Sequence, residues 1–194
     1  MTTLLPPADL TAVTGPVLRP GDPGWRAEIA GFNLSFTPTP AVVVGATSTA
    51  DVATAVRYAA SVGKRVAVQA TGHGLMSDLH DTVLITTRRM TTVAVDPVAR
   101  TARVAAGVRW RAVIDAAAEH GLAPLSGSSS QVGVVGYRAG RPAVEPGGPG
   151  APPADPRPRR PDGPVRHEHP HRLSVRSGCT RATGPSWRPW PPTR

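Results

Sequence analysis

"PAVVVGATSTADVATAVRYAASVGKRVAVQATGHG" (residues 40–74) decides the fold class of this chain. It opens with a short β-branched apolar run, PAVVVGA (40–46), headed by a proline, which suits a buried strand. Ser48 stands where a helix N-cap belongs, and Asp51 follows in the first turn, where a negative charge meets the positive end of the helix dipole. Val52, Val56 and Ala59 recur at helical spacing, and Gly63 is placed to stop the helix. RVAVQA (65–70) then reads as a second strand. Strand, helix and strand in about 30 residues make a βαβ unit, whose strands run parallel with a right-handed crossover.

Upstream, residues 1–39 read as a Pro- and Gly-rich lead-in, within which WRAEIAGFNLSF (25–36) predicts a short helix and a loop. Downstream, TVLITTRRM (82–90) predicts a third strand. TTVAVDPVARTARVAAGV (91–108) predicts two strands around a turn at Asp96-Pro97-Val98-Ala99. RWRAVIDAAAEHG (109–121) is an amphipathic helix with Trp110, Val113, Ile114 and Ala117 on one face and Gly121 at its end. LAPLSGSSSQVGVVGY (122–137) turns small and glycine-rich. The expected class is α/β (α+β): a parallel βαβ start followed by an antiparallel element.

Composition divides the chain after Tyr137. Residues 1–137 hold 11 Arg and Lys against 9 Asp and Glu, whereas residues 138–194 hold 11 Arg against 4 acids and 14 of the 23 prolines. The second segment has no Ile, Phe, Met or Tyr, and Leu173 is its one leucine, so it is expected to stay disordered. The high pI of about 11.4 belongs mostly to that tail. The lone cysteine, Cys179, excludes an intrachain disulfide. The N-terminus lacks the basic and apolar regions of a signal peptide, and no apolar run approaches membrane-spanning length. A cytoplasmic location, with no membrane partner, is the expectation.

Two stretches are placed to carry chemistry. In QATGHG (69–74), His73 stands between Gly72 and Gly74 at the carboxyl end of a strand, where ligands of open α/β sheets bind. Free N–H groups of such a loop can cradle phosphate, while the alternative is a turn with an exposed histidine. SGSSSQVGVVG (126–136) suits a loop closing over a flat ligand, the alternative being a linker.

Together and in this order, these pieces resemble the N-terminal part of an FAD-linked oxidase of the p-cresol methylhydroxylase and vanillyl-alcohol oxidase type, close to the berberine bridge enzyme-like branch. The resemblance covers residues 22–137 and rests on the quoted 40–74 run, on LITTRRMTTVAVDPVARTARVAAGVRW, and on HGLAPLSGSSSQVGVVGY. It implies a PCMH-type FAD-binding domain, here partial and spanning residues 40–137. FAD is the implied cofactor, with His73 in an intact relative either bonded covalently to the flavin or, as in members without the bond, making a noncovalent pyrophosphate contact. Ala70, Thr71, Gly72, His73 and Gly74 are the implied pyrophosphate loop, and Gly127, Ser128, Ser129, Val132, Gly133, Val134 and Gly136 the later flavin contacts. Where some members carry a second attachment cysteine this chain has Ser129, and a hydroxyl does not replace a thiolate nucleophile. One covalent bond at most is therefore implied. The implied activity is flavin-dependent oxidation of an alcohol, an amine or an activated C–H of a small molecule. No catalytic base is evident, and His80, Asp78 and Arg88 read as surface residues.

Past Tyr137 the chain continues RAGRPAVEPGGPGAPPADPRPRRP, the kind of run that GC-rich coding DNA yields out of frame. Residues 138–194 are read as a frameshift product that truncates the chain, which sequencing the gene across the Tyr137 codon tests. Within them, HEHPH (167–171) lacks a scaffold for a metal, and RPRR (157–160) with Trp187 and Trp190 predicts only non-specific polyanion contacts, not specific nucleic-acid recognition. The rival to an oxidoreductase is a non-catalytic remnant or binding module with a polyanion-binding tail.

Overall fold

The computed structural model describes residues 9–139 and 172–177. Its first sheet contains β1 (Val17–Leu18), β2 (Val42–Gly45), β3 (Val66–Gln69) and β4 (Val83–Thr86), in the order β1-β2-β4-β3. β2 and β3 both run parallel to β4, with Val42 and Val66 each opposite Val83. The strands joined by α2 (Thr49–Ser61) therefore share a direction, as expected of a βαβ unit, but β4 lies between them. Burial explains the order. Val83, Leu84 and Ile85 are wholly buried and suit a central strand, whereas Val68 of the edge strand β3 is 65% exposed.

Two layers cover the central strands. Val42, Val44, Val83 and Ile85 pack against Ala55 and Ala59 of α2. Val43 and Leu84 point the other way, onto Trp25 and Ile29 of α1 (Trp25–Ile29). This double cover is why the strands read as continuous apolar runs. At the start of α2, the Ser48 hydroxyl accepts from the Asp51 N–H at 3.1 Å. Past its end, Gly63 takes a left-handed φ of 67°. The buried face of α2 is rotated from the expected one. Asp51, Thr54, Ala55 and Ala59 are buried and Val56 is largely exposed, because the small alanines let the helix lie close to the sheet.

The second sheet contains β5 (Val93–Asp96), β6 (Thr101–Val104), β7 (Ala123–Pro124) and β8 (Arg172–Ser177), in the order β5-β6-β8-β7. β5 and β6 form the expected antiparallel hairpin, and Asp96 Oδ1 organises its turn by accepting from the Val98 and Ala99 N–H groups. Trp110, Val113 and Ala117 of α3 (Trp110–Ala118) pack on this sheet with Ala102, Val104 and Leu173.

Three segments depart from the sequence reading. The lead-in contributes β1, which pairs antiparallel with β2. The Gly/Ser stretch ends in a short helix, α4 (Val134–Ala139), because Val134 anchors it in the second core. Residues 172–177, inside the segment expected to be disordered, form β8, parallel to β6 and β7. The physical reason is local: RLSVRS places Leu173 and Val175 two apart, a strand spacing, and Leu173 is buried. HEHPH, RPRR, Cys179, Trp187 and Trp190 lie outside the described residues.

Candidate cofactor-binding site

β3 ends at Gln69, and the chain then turns at the carboxyl edge of the parallel sheet. Gly72 carries a φ of 70°, and a Cβ there would sit 2.6 Å from the Gly31 Cα, so only glycine fits. Gly74 meets nothing within 4 Å and has no such need. The segment after α1 runs alongside this loop. The Phe32 N–H donates to the Thr71 carbonyl at 2.9 Å, and the Asn33 N–H to the Gly72 carbonyl at 3.2 Å. The N–H groups of Thr71, Gly72, His73 and Gly74 donate to no other described residue. Successive N–H groups on such a turn can receive anionic oxygens.

The side chain of His73 is fixed from two directions. Its Nδ1 lies 2.8 Å from Thr71 Oγ1, and its ring stacks on Phe32 with centroids 3.8 Å apart and planes 7° from parallel. Burial lowers its pKa below the usual histidine range, and the positive charge of Arg109 lowers it further. The imidazole is therefore neutral at neutral pH.

Facing this loop is the second Gly/Ser stretch. Gly133 forms a β-bridge with Arg109, and a Cβ on it would touch the side chains of Ala70 and Thr71. The Trp110 N–H donates to the Val132 carbonyl and the Arg111 N–H to the Ser130 carbonyl, which hold the stretch against the start of α3. Between the two loops lies a cleft of about 640 Å³. Ala70, Thr71, Gly72, His73 and Gly74 line it from one side, and Val132, Gly133, Gly136 and Tyr137 from the other.

Not every residue singled out in the sequence reaches the cleft. Val134 is buried in the second core. Gly127 lies against the ring of Tyr137, one layer back, where a Cβ would come within 2.9 Å. Ser128 and Ser129 do not line the cleft, and the Ser129 hydroxyl accepts from the Gln131 N–H at 3.3 Å. Arg88 is not the surface residue it was expected to be. Its guanidinium donates to the carbonyls of Ala27, Glu28 and Ala30, and so caps the end of α1 behind the loop. His80 and Asp78 are exposed.

Sequence reasoning missed Phe32, Asn33, Arg109 and Tyr137. No spacing rule joins residue 32 to residue 73, and Arg109 and Tyr137 look like helix-end residues until the loops are seen to meet. An adjoining hollow of about 400 Å³ shares Ala70 and Thr71 and is lined by Arg88, Arg109 and Arg111. A comparable hollow beside Trp25 and Pro38, about 630 Å³, contains none of the glycine-framed residues.

Known proteins resemble this chain in sequence and in fold. The chain is 28% identical over 135 residues to (R)-6-hydroxynicotine oxidase of Paenarthrobacter nicotinovorans, a match covering 64% of this chain and 28% of that protein. Its fold matches the crystal structure of 6-hydroxy-D-nicotine oxidase from Arthrobacter nicotinovorans with a TM-score of 0.59 and 28% identity, over 63% of this chain and 27% of that one. A BBE-like protein of Physcomitrella patens matches in fold with a TM-score of 0.59 and 24% identity, over 66% of this chain and 29% of that one. The chain thus spans little more than a quarter of the length of these relatives. The profile described as "FAD binding domain" matches residues 40–145, which takes in β2, β3 and β4 of the first sheet, the hairpin, α3 and both loops of the cleft. With more than half of its residues inside that match, the chain belongs to the FAD binding domain family.

Proposed function

We propose that this chain supplies the cofactor-holding part of an FAD-dependent oxidoreductase, with the cleft between loops 70–74 and 132–137 as the FAD site. The observation that carries the reading is the meeting of two glycine-framed loops, distant in sequence, around one oriented histidine. The residues present suit the cofactor. The N–H groups of residues 71–74 and, in the adjoining hollow, the guanidinium of Arg109 offer donors for a pyrophosphate. Gln69 Oε1 is a buried acceptor without a partner among the described residues, at the floor of the cleft. Val68, Leu75 and Val132 supply apolar walls for a flat ring.

When bound, FAD supplies a two-electron acceptor for a hydride from an alcohol, an amine or an activated C–H of a small molecule. The chain's own contribution is to place it. Thr71 and Phe32 hold the imidazole of His73, the residue that would carry the flavin in a covalent attachment. Ser129, with a hydroxyl in place of a thiol and no place in the cleft lining, fits a single attachment.

Titrating the purified chain with FAD and following flavin fluorescence tests this reading. Saturable binding, weakened in His73→Ala, is expected. Flavin that stays with acid-precipitated protein marks covalent attachment, and its loss in His73→Ala assigns the residue. A chain without saturable FAD binding overturns the reading. If such a chain instead binds polyanions, the non-catalytic binding module replaces it.

A further inference from the structure

Phe32 is 67% exposed, so it does little for either core. Its backbone is nonetheless anchored: the Phe32 N–H donates to the Thr71 carbonyl, and the residues on either side are tied down. Behind it, Gln69 Nε2 donates to the carbonyls of Ile29 and Ala30, both at 3.2 Å, and Arg88 binds those of Ala27, Glu28 and Ala30. Beneath it, Gly31 and Gly72 cross closely: a Cβ on Gly72 would sit 2.6 Å from the Gly31 Cα, and one on Gly31 would sit 3.1 Å from the Gly72 Cα. Beyond it, Asn33 Nδ2 donates to the Leu75 carbonyl at 2.8 Å. The backbone thus delivers the Phe32 ring to one place, the face of His73.

Two restraints then define the imidazole. The hydrogen bond to Thr71 Oγ1 fixes the direction of Nδ1 but leaves the ring free to pivot about that contact. The parallel stack removes the pivot. We infer that Phe32 is a positioning residue for His73, holding the imidazole plane in the orientation from which the cleft presents it to the cofactor. This rests on the FAD reading of the cleft, but the ring orientation itself is a property of the chain alone.

Histidine-labelled NMR of the full chain without added flavin, with His73 assigned through His73→Asn, tests it. Cross-peaks between the Phe32 and His73 rings are expected in the parent chain, and so is an upfield position for the His73 ring protons that face Phe32. Phe32→Leu is expected to move those signals downfield, and Phe32→Tyr to retain them. If the parent chain takes up flavin covalently, Phe32→Leu is expected to slow attachment on the order of tenfold, since misplacing a reacting group by an ångström costs up to about a hundredfold. Phe32→Tyr restores it. Absent cross-peaks in the parent chain overturn the inference, as do His73 signals or an attachment rate unchanged in a folded Phe32→Leu chain. Failure of the parent chain to bind FAD overturns the cofactor reading instead, and the NMR result then decides the role of Phe32 by itself.

Discussion

The first sheet closes within residues 17–86, whereas the second admits β8 from residues 172–177 between β6 and β7. In the first, each central strand is covered on both faces by helices that also fall within residues 17–86. In the second, Leu173 is brought from the remote strand β8 into a core otherwise formed by residues such as Val104, Trp110 and Val113. Bringing a remote strand home costs loop-closure entropy before its contacts form. The first sheet is therefore expected to be the more robust half, and the second the half whose order depends on distant residues.

Leu173→Ala is the sharpest attempt to break that comparison. Truncating a buried leucine costs about 2–5 kcal/mol. The loss should fall on β6 and β7, seen as faster hydrogen exchange there, with β2 and β4 unchanged. Equal loss of protection in both sheets shows that they unfold as one unit. Asp51→Ala attacks the other half. Its carboxylate accepts from the N–H and hydroxyl groups of both Thr14 and Thr47, tying the lead-in to the start of α2. Leaving those donors unpaired should cost about 2–4 kcal/mol in urea unfolding.

Asp51 and a second buried carboxylate, Glu28, set the acid limit of the first sheet. Burial alone would raise the pKa of Asp51, but hydrogen bonds from Thr14 and Thr47 outweigh it and hold the carboxyl far below the usual carboxylate range. The hydrogen bond from Arg89 lowers the pKa of Glu28, against burial and with help from Thr86. Both groups are protonated more readily in the unfolded chain. Their stabilisation is complete above the ordinary carboxylate pKa of about 4 and is lost as pH falls through the folded values. Urea midpoints measured from pH 7 downward should fall below about pH 4.5 in the parent chain, and less steeply in Glu28→Gln.

Much of the fold was legible in the sequence, because its signals are local. Ser48, Gly63 and Asp96 do in the structure what their neighbours implied. β8 was not legible, since composition averages over a segment and hides six residues with strand spacing. The site was half legible. The loop around His73 announces itself through glycines, but its partner Phe32 is set by a backbone crossing between residues 31 and 72. Gly72→Ala tests that crossing. Left-handed strain and the collision with Gly31 should cost about 1–3 kcal/mol, separate Phe32 from His73, and weaken FAD binding while leaving β8 protected.

The smallest expected effect sharpens the comparison inside the first sheet. Helical spacing placed Val56 on the buried face of α2, yet it is 45% exposed, and the face that meets the sheet carries Ala55 and Ala59. A periodicity argument ranks residues by size and apolarity, but a helix lying close over flat strands favours the side chains that take least room. Val56→Ala should therefore shift stability by no more than about 0.5 kcal/mol. Ala55→Val, a gain in both apolarity and β-branching, should cost about 1–3 kcal/mol through overpacking against Val44 and Ile85. If the two substitutions showed the reverse order in urea unfolding, α2 would sit on its valines, and the close approach that orients β3 and the His73 loop would have to be redrawn.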